Sequence, residues 1–130
     1  MNSVHSIPTG IELHKRRKVL ELVYADDQRY ELSCEYLRVH SPSAEVKGHG
    51  PGQEILQEGK INVGIDHIEP VGNYALQFVF SDGHDSGIFS WAYLYELCAN
   101  QQQNWQTYLD RLSAAGAARD PDIQVVRIGN

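Results

Sequence analysis

The segment YALQFVF, from Tyr74 to Phe80, constrains the fold more than any other part of the chain. Every second side chain in it is large and apolar, which is the period of a β-strand with one buried face. The side chains predicted to share that face are Tyr74, Leu76, Phe78 and Phe80. Turn residues follow at Ser81–Gly83, and the run Gly87–Phe89 predicts a short strand that completes a hairpin.

Shorter strands are predicted upstream of this hairpin, where apolar and polar side chains also alternate. The clearest is residues 19–24, in which Leu20, Leu22 and Tyr24 share one face. The basic run Lys15–Lys18 is interpreted as a solvated hairpin tip rather than an anion site, because four cations between two strands usually face water. The predicted strand segments are 11–14, 19–24, 30–32 and 61–68, with a bend at Pro70–Gly72.

Helices are predicted mainly in the C-terminal part of the chain. Ser33 is expected to cap a short helix that Ser41–Pro42 stops, and Ser90 to cap a helix over residues 91–99. A further helix is predicted because Trp105, Tyr108, Leu109 and Leu112 fall at helical spacing, with Gly116 ending it.

Strands first and helices last predict an α+β fold, with a mostly antiparallel sheet from the N-terminal two thirds and C-terminal helices packed on it. We expect one domain over residues 1–130, with a helical extension at 101–116. The tail, 117–130, is expected to be loosely held or to contact a partner, and it contains a strand-like patch at 123–128.

Length and charge exclude several classes of protein. A chain of 130 residues matches one ordinary domain. A formal charge of -6 repels a phosphate backbone, so nucleic-acid binding is not expected. No apolar run has the length of a membrane span, and no export signal is recognisable, so we expect a cytoplasmic protein. Cys34 and Cys98 are then expected to be buried free thiols.

The segment from Ser41 to Gly59 is predicted to be a long surface loop, because it is rich in glycine and has few large apolar residues. Its centre, GHGPG at 48–52, lacks the GxGxxG spacing of a dinucleotide loop, and its proline removes one amide donor. We interpret Gly50 and Gly52 as shaping the loop, with His49 available to a partner or ligand.

His84, flanked by Asp82 and Asp85, is the histidine with the most chemical potential. Spacing alone leaves three roles open, a metal ligand, a general base and a hydrogen-bonded turn residue, of which the last is favoured. No pair of histidines has the HxH or HxxxH spacing of a metal site, and no nucleophile motif is present. The sequence therefore predicts no enzyme and no cofactor.

Two longer stretches carry a family resemblance, LRVHSPSAEV at 37–46 and SDGHDSGIFSW at 81–91, with IEPVGNYA at 68–75 between them. Over roughly residues 8–100 the chain resembles the gamma-butyrobetaine hydroxylase-like N-terminal domain, a domain of unknown function. The run SPSAEVKGHGPGQ at 41–53 is similar to the stand-alone bacterial branch of that family.

The resemblance implies a degenerate metal site. In carnitine-pathway dioxygenases the domain precedes the catalytic barrel and holds a structural zinc through CxCxxC and a distant histidine. Those positions fall on Ser41, Ser43, Val46 and His84, so only the histidine is retained. We therefore expect no metal here, and expect His84 to form hydrogen bonds with Ser41, Ser43 or nearby backbone.

These observations together predict a small binding or accessory module. The resemblance points to two kinds of partner, an iron–sulfur assembly scaffold of the P-loop type, to which some relatives are attached, and an oxygenase. The predicted binding surface consists of Ser41, Ser43, His49, Gly50, Gly52, Asp82, His84 and Asp85.

Two alternatives belong to other classes. One is a metal-dependent enzyme centred on His84, with Asp82, Asp85 and either His40 or His49. The other is a homo-oligomerisation domain that associates through Trp105 and Tyr108.

Overall fold

Two antiparallel three-stranded sheets and four helices form the fold in the computed structural model, which describes residues 7–126 and 128. The strands are β1 (Gly10–His14), β2 (Val19–Val23), β3 (Arg29–Ser33), β4 (Ile65–Val71), β5 (Ala75–Phe80) and β6 (Ile88–Ser90). The helices are α1 (Cys34–Val39), α2 (Ala44–Lys47), α3 (Trp91–Ala99) and α4 (Gln101–Ala115). This arrangement confirms the predicted α+β class.

The first sheet is a meander in the order β1-β2-β3. Its central strand directs Leu20 and Leu22 into the core, and Tyr24 continues the same face. Lys15–Lys18 forms the exposed tip of the β1–β2 hairpin, as the sequence predicted.

The second sheet has the order β4-β5-β6 and supplies most of the aromatic core. Phe78 on β5 packs against its neighbour Phe80 and against Phe89 on β6, and the Phe78 and Phe89 ring centroids are 4.8 Å apart. The prediction that Tyr74 lies on the buried face of this strand is wrong. Tyr74 is 59% exposed, because it lies in the turn before β5. The predicted bend also shifts, since Pro70 and Val71 belong to β4 and the turn begins at Gly72.

Both predicted serine caps are present. The Ser33 hydroxyl accepts a hydrogen bond from the Tyr36 amide at 3.0 Å, and the Ser90 hydroxyl accepts one from the Tyr93 amide at 3.1 Å. Helix α4 ends at Gly116, whose left-handed backbone (φ 66°) suits a residue without Cβ.

One apolar core joins the two sheets with α1 and α3. Cys34 and Cys98 are buried free thiols in this core, and burial raises the pKa of Cys98 to about 11. Both cysteines therefore act as small apolar side chains, as expected.

The segment predicted as a surface loop, Ser41–Gly59, is partly ordered and buried. It contains α2, whose Val46 is buried, and the Val46 carbonyl accepts the Ile55 amide at 2.9 Å. Ser41 and Ser43 are also buried. The turn at the start of this segment therefore belongs to the protein interior, which glycine and proline content alone did not indicate.

The tail is attached at its beginning. The Arg119 guanidinium forms two hydrogen bonds with the buried Glu35 carboxylate, at 2.6 and 2.9 Å. The predicted strand-like patch forms no strand over 123–126 or at Ile128, and the rest of that patch, Arg127, lies outside the described residues. No helix among the described residues has the length and apolarity to cross a membrane.

We predict that Phe78→Ala lowers the free energy of unfolding by about 3–5 kcal/mol, because it leaves a cavity in the core against which the second sheet packs. The exposed Tyr74→Ala is the control and should cost about 0.5 kcal/mol. Urea denaturation followed by circular dichroism measures both values. Equal losses for the two variants would contradict the structure, because they would mean that Tyr74 packs in the core as strongly as Phe78 does.

Candidate functional site

A tight turn after β5 places His84 inside the protein. The Phe80 amide donates to the His84 carbonyl at 2.9 Å, and the Gly83 amide donates to the Phe80 carbonyl at 2.9 Å. Gly83 adopts φ 91°, a backbone angle that residues other than glycine rarely adopt. The turn therefore directs the His84 imidazole inward, where only 3% of its side chain is exposed.

Both ring nitrogens of His84 have partners in the segment between α1 and α2. Its Nε2 lies 2.8 Å from the Ser41 hydroxyl and 3.3 Å from the Ser43 hydroxyl, and its Nδ1 lies 2.8 Å from a carboxylate oxygen of Glu45. The neutral tautomer with its proton on Nδ1 satisfies all three contacts, since it donates to Glu45 and accepts from the serines. The predicted contacts of His84 with Ser41 and Ser43 are thus present.

A close approach of two chain segments makes these contacts possible. A Cβ atom added to Gly87 would lie 2.2 Å from Ser41 Oγ and 3.1 Å from Pro42 Cδ. Because Gly87 has no Cβ atom, the chain just before β6 can pack directly against Ser41 and Pro42.

A second polar group lies beside the imidazole. The Arg38 Nε donates to Asp82 Oδ2 at 2.9 Å, and the Lys60 ammonium donates to the same oxygen at 2.9 Å. Burial raises the pKa of Asp82, but the Lys60 and Arg38 hydrogen bonds outweigh it and hold that pKa below its ordinary value. The Asp82 carboxylate thus neutralises the largely buried Arg38 guanidinium.

The surroundings keep His84 neutral. Burial lowers its pKa, and the charge of Arg38 lowers it further. The carboxylates of Glu45 and Asp82 oppose this effect without reversing it. A neutral imidazole is also the form that accepts the serine hydrogen bonds.

The four family ligand positions do not fit a zinc ion. Serine hydroxyls stay protonated near neutral pH, and Val46 has no donor atom. Ser41 and Ser43 also already use their hydroxyls on His84, and no buried side-chain donor or acceptor lacks a partner in the described part of the chain. Ser41, Ser43 and His84 are therefore hydrogen-bond partners of one another.

The predicted binding surface divides into two parts. Ser41, Ser43, Asp82 and His84 gather in one place, and Asp85 joins them at the rim of an open depression of about 400 Å³. His49, Gly50 and Gly52 belong to a separate turn, in which the Gln53 amide donates to the Gly50 carbonyl at 3.0 Å. Across the described ranges, no hydrogen bond or ion pair joins that turn to His84.

Sequence reasoning missed three residues of this site, Arg38, Glu45 and Lys60. Arg38 carried one signal, because it is a lone cation among apolar residues of α1 and such a cation needs a buried anion. Glu45 and Lys60 carried none, since each is an ordinary charged residue with no apolar periodicity around it.

The alternative oligomerisation surface is largely covered by the chain itself. Tyr108 is 4% exposed, and its hydroxyl donates to the Gln57 carbonyl at 2.6 Å. The Arg119 guanidinium lies over the Trp105 ring, 5.0 Å from its centroid.

We predict that Gly87→Ala destabilises the protein by about 1–3 kcal/mol, because its Cβ would overlap the Ser41 hydroxyl. Gly50→Ala is the matched control. No atom lies within 4 Å of its added Cβ, and its change should stay within about 0.5 kcal/mol. Thermal melts of the two variants measure the difference. Equal melting temperatures would mean that the turn at Ser41 shifts to make room for the added Cβ atom without loss of stability.

We further predict that protonation of His84 opposes folding. Its pKa is lower in the native state than the ordinary value near 6.5, so the unfolded chain binds more protons as the pH falls below about 6.5. The free energy of unfolding should therefore decrease from about pH 7 to about pH 5. His84→Gln should reduce this slope, while the slope that remains includes His40, whose pKa burial also lowers.

Urea denaturation at each pH measures the slope, and His49→Gln is the control for loss of an exposed imidazole. A slope for His84→Gln as steep as that of the wild type would contradict the assignment.

The chain matches one family model and is similar to several solved structures. The family model for the gamma-butyrobetaine hydroxylase-like N-terminal domain matches residues 11–95. Two solution NMR structures are similar over nearly the whole chain. One has 54% identity, a TM-score of 0.82, and coverage of 95% of this chain and 98% of its own. The other has 48% identity, a TM-score of 0.75, and coverage of 96% and 94%.

A third similar structure is a crystal structure from Acidithiobacillus ferrooxidans of a protein with unknown function in the DUF971 family. It has 38% identity, a TM-score of 0.61, and coverage of 73% of this chain and 96% of its own. No curated protein matches the chain significantly. The family match and these structures show that the chain belongs to the gamma-butyrobetaine hydroxylase-like N-terminal domain family.

Proposed function

We propose that this protein is a non-catalytic binding module that acts as an accessory to another protein. The observation that carries the proposal is the internal use of His84, whose two ring nitrogens bond to Ser41, Ser43 and Glu45. A general base or a metal ligand needs a nitrogen that faces the reactant. Around His84, the described groups left for another molecule are those on the rim of the depression.

The rim is acidic. Glu45 is 70% exposed even though one oxygen contacts His84, and Ser86 donates to the same carboxylate at 3.0 Å. Asp85 is exposed and has no ion pair within residues 7–126. A rim of this charge suits a partner that presents lysine or arginine side chains, because complementary charge speeds association and fixes orientation.

The choice of partner follows from the family. Because the resemblance implies attachment to P-loop scaffolds for iron–sulfur assembly, and in other relatives to oxygenase barrels, we propose one of these two as the partner. The reducing cytoplasm, where iron–sulfur assembly takes place and thiols stay free, is the compartment we propose for this protein.

We predict that Asp85→Lys weakens binding to the purified partner at least tenfold, about 1.4 kcal/mol, without changing the melting temperature. The reason is that the new cation faces the basic groups of the partner. Isothermal titration calorimetry with a P-loop scaffold protein, and separately with an oxygenase catalytic domain, measures the affinity.

Asp26→Lys is the matched control, since Asp26 is an exposed carboxylate in the β2–β3 turn. It changes the net charge equally and should bind as the wild type does. Equal weakening by both variants would mean that only the net charge matters and that Asp85 is not at the interface. If neither candidate partner binds the wild-type protein, the proposed partners are wrong.

A further inference from the structure

The outer face of the first sheet carries a histidine and two carboxylates beside the β1–β2 hairpin. Glu12 and His14 are two residues apart on β1, so both project from the same face. Glu21 on β2 is the register partner of Glu12 and shares that face. Leu13 and Leu20, the neighbouring register pair, turn toward the core instead. The strand pairing itself therefore brings the three side chains together.

The spacing of their donor atoms is that of a metal site. His14 Nε2 lies 3.2 Å from Glu21 Oε1 and 3.6 Å from Glu12 Oε1, and the three donor atoms lie within 4.8 Å of one another. Zinc binds nitrogen and oxygen at about 2.0–2.2 Å in a tetrahedron, which places its ligands about 3.3–3.6 Å apart. The distance from His14 to Glu12 falls at the upper end of that range, and the distance to Glu21 is 0.1 Å below its lower end. The Glu12 side chain is exposed, so it can adjust.

Charge on this face also favours a cation. Glu21 has a glutamate opposite it on each side, Glu12 on β1 and Glu31 on β3, and like charges in register repel. Arg29 binds Glu21 Oε2 at 2.7 Å, which orients that carboxylate and leaves Oε1 toward His14. Arg17 contacts Glu31 at 3.4 Å. Glu12 has no arginine or lysine partner in the described part of the chain.

We propose that Glu12, His14 and Glu21 bind one zinc ion, or a first-row divalent ion of similar chemistry, with water completing the coordination. One imidazole and two carboxylates suit zinc better than calcium or magnesium, which prefer oxygen ligands alone. This site lies on the first sheet, whereas His84 lies in the turn between β5 and β6 of the second sheet. The zinc site therefore does not depend on the proposed partner binding. Its open coordination position gives the protein a reversible, surface-bound ion rather than a structural one.

The test is a calorimetric titration of the tag-free full chain with zinc chloride at about pH 7. We expect one equivalent to bind, and His14→Ala to weaken binding at least tenfold. Glu12→Gln should also weaken it, and since this side chain is exposed, the variant keeps the fold. His67→Ala is the matched control, because His67 is an exposed strand histidine that contacts a single carboxylate, Glu69.

Each other result would overturn the proposal. Absence of binding, or equal loss in His67→Ala, would show that the hairpin has no defined site. Loss of zinc in His84→Gln with retention in His14→Ala would place the ion at the family position instead. Magnesium chloride binding as tightly as zinc would show that the imidazole is not a ligand.

Discussion

The shared apolar core is the constraint on which the rest of this structure depends. A three-stranded sheet buries one face, and neither sheet here has enough surface to fold without a layer against it. The first sheet contributes Leu20, Leu22 and Leu32, and the second contributes Phe78 and Phe89, to one continuous cluster. Helices α1 and α3 close that cluster, and the Tyr36 hydroxyl on α1 donates to the Leu97 carbonyl on α3 at 2.7 Å. The positions of the polar turns follow from this packing.

The His84 network holds the turn at Ser41 and Ser43 against the turn that follows β5. A structural zinc holds a turn against a distant strand pair through coordination bonds. Here hydroxyl, imidazole and carboxylate groups hold the same segments through hydrogen bonds, and each buried group has a partner. Removing one partner would leave another buried and unsatisfied, which costs about 1–3 kcal/mol. The network therefore depends on each of its members. It also depends on Gly87, because the absence of a Cβ atom there leaves room for the Ser41 hydroxyl.

Charge is distributed unevenly over the molecule, and this distribution carries both proposals. Buried ions are paired, as in Arg38 with Asp82 and Glu35 with Arg119, because an isolated charge in the interior is costly. Among the described residues, the exposed carboxylates that carry the two proposals are Asp85 on the rim and Glu12 on the first sheet, neither of which pairs with an arginine or lysine. Those groups are free to meet a cationic surface or a metal ion.

The sequence by itself determined the elements whose signal is local. Alternation located β2 and β5, serine caps located the starts of α1 and α3, and the family motifs identified the domain. Tertiary structure decided what depends on distant residues. It placed Tyr74 outside the strand, buried the serine turn, and brought Arg38 and Lys60 to Asp82, Arg119 to Glu35, and His14 between two glutamates. Periodicity and capping act within a few residues, whereas charge pairing and burial depend on which segments the core brings together, and no local pattern records that.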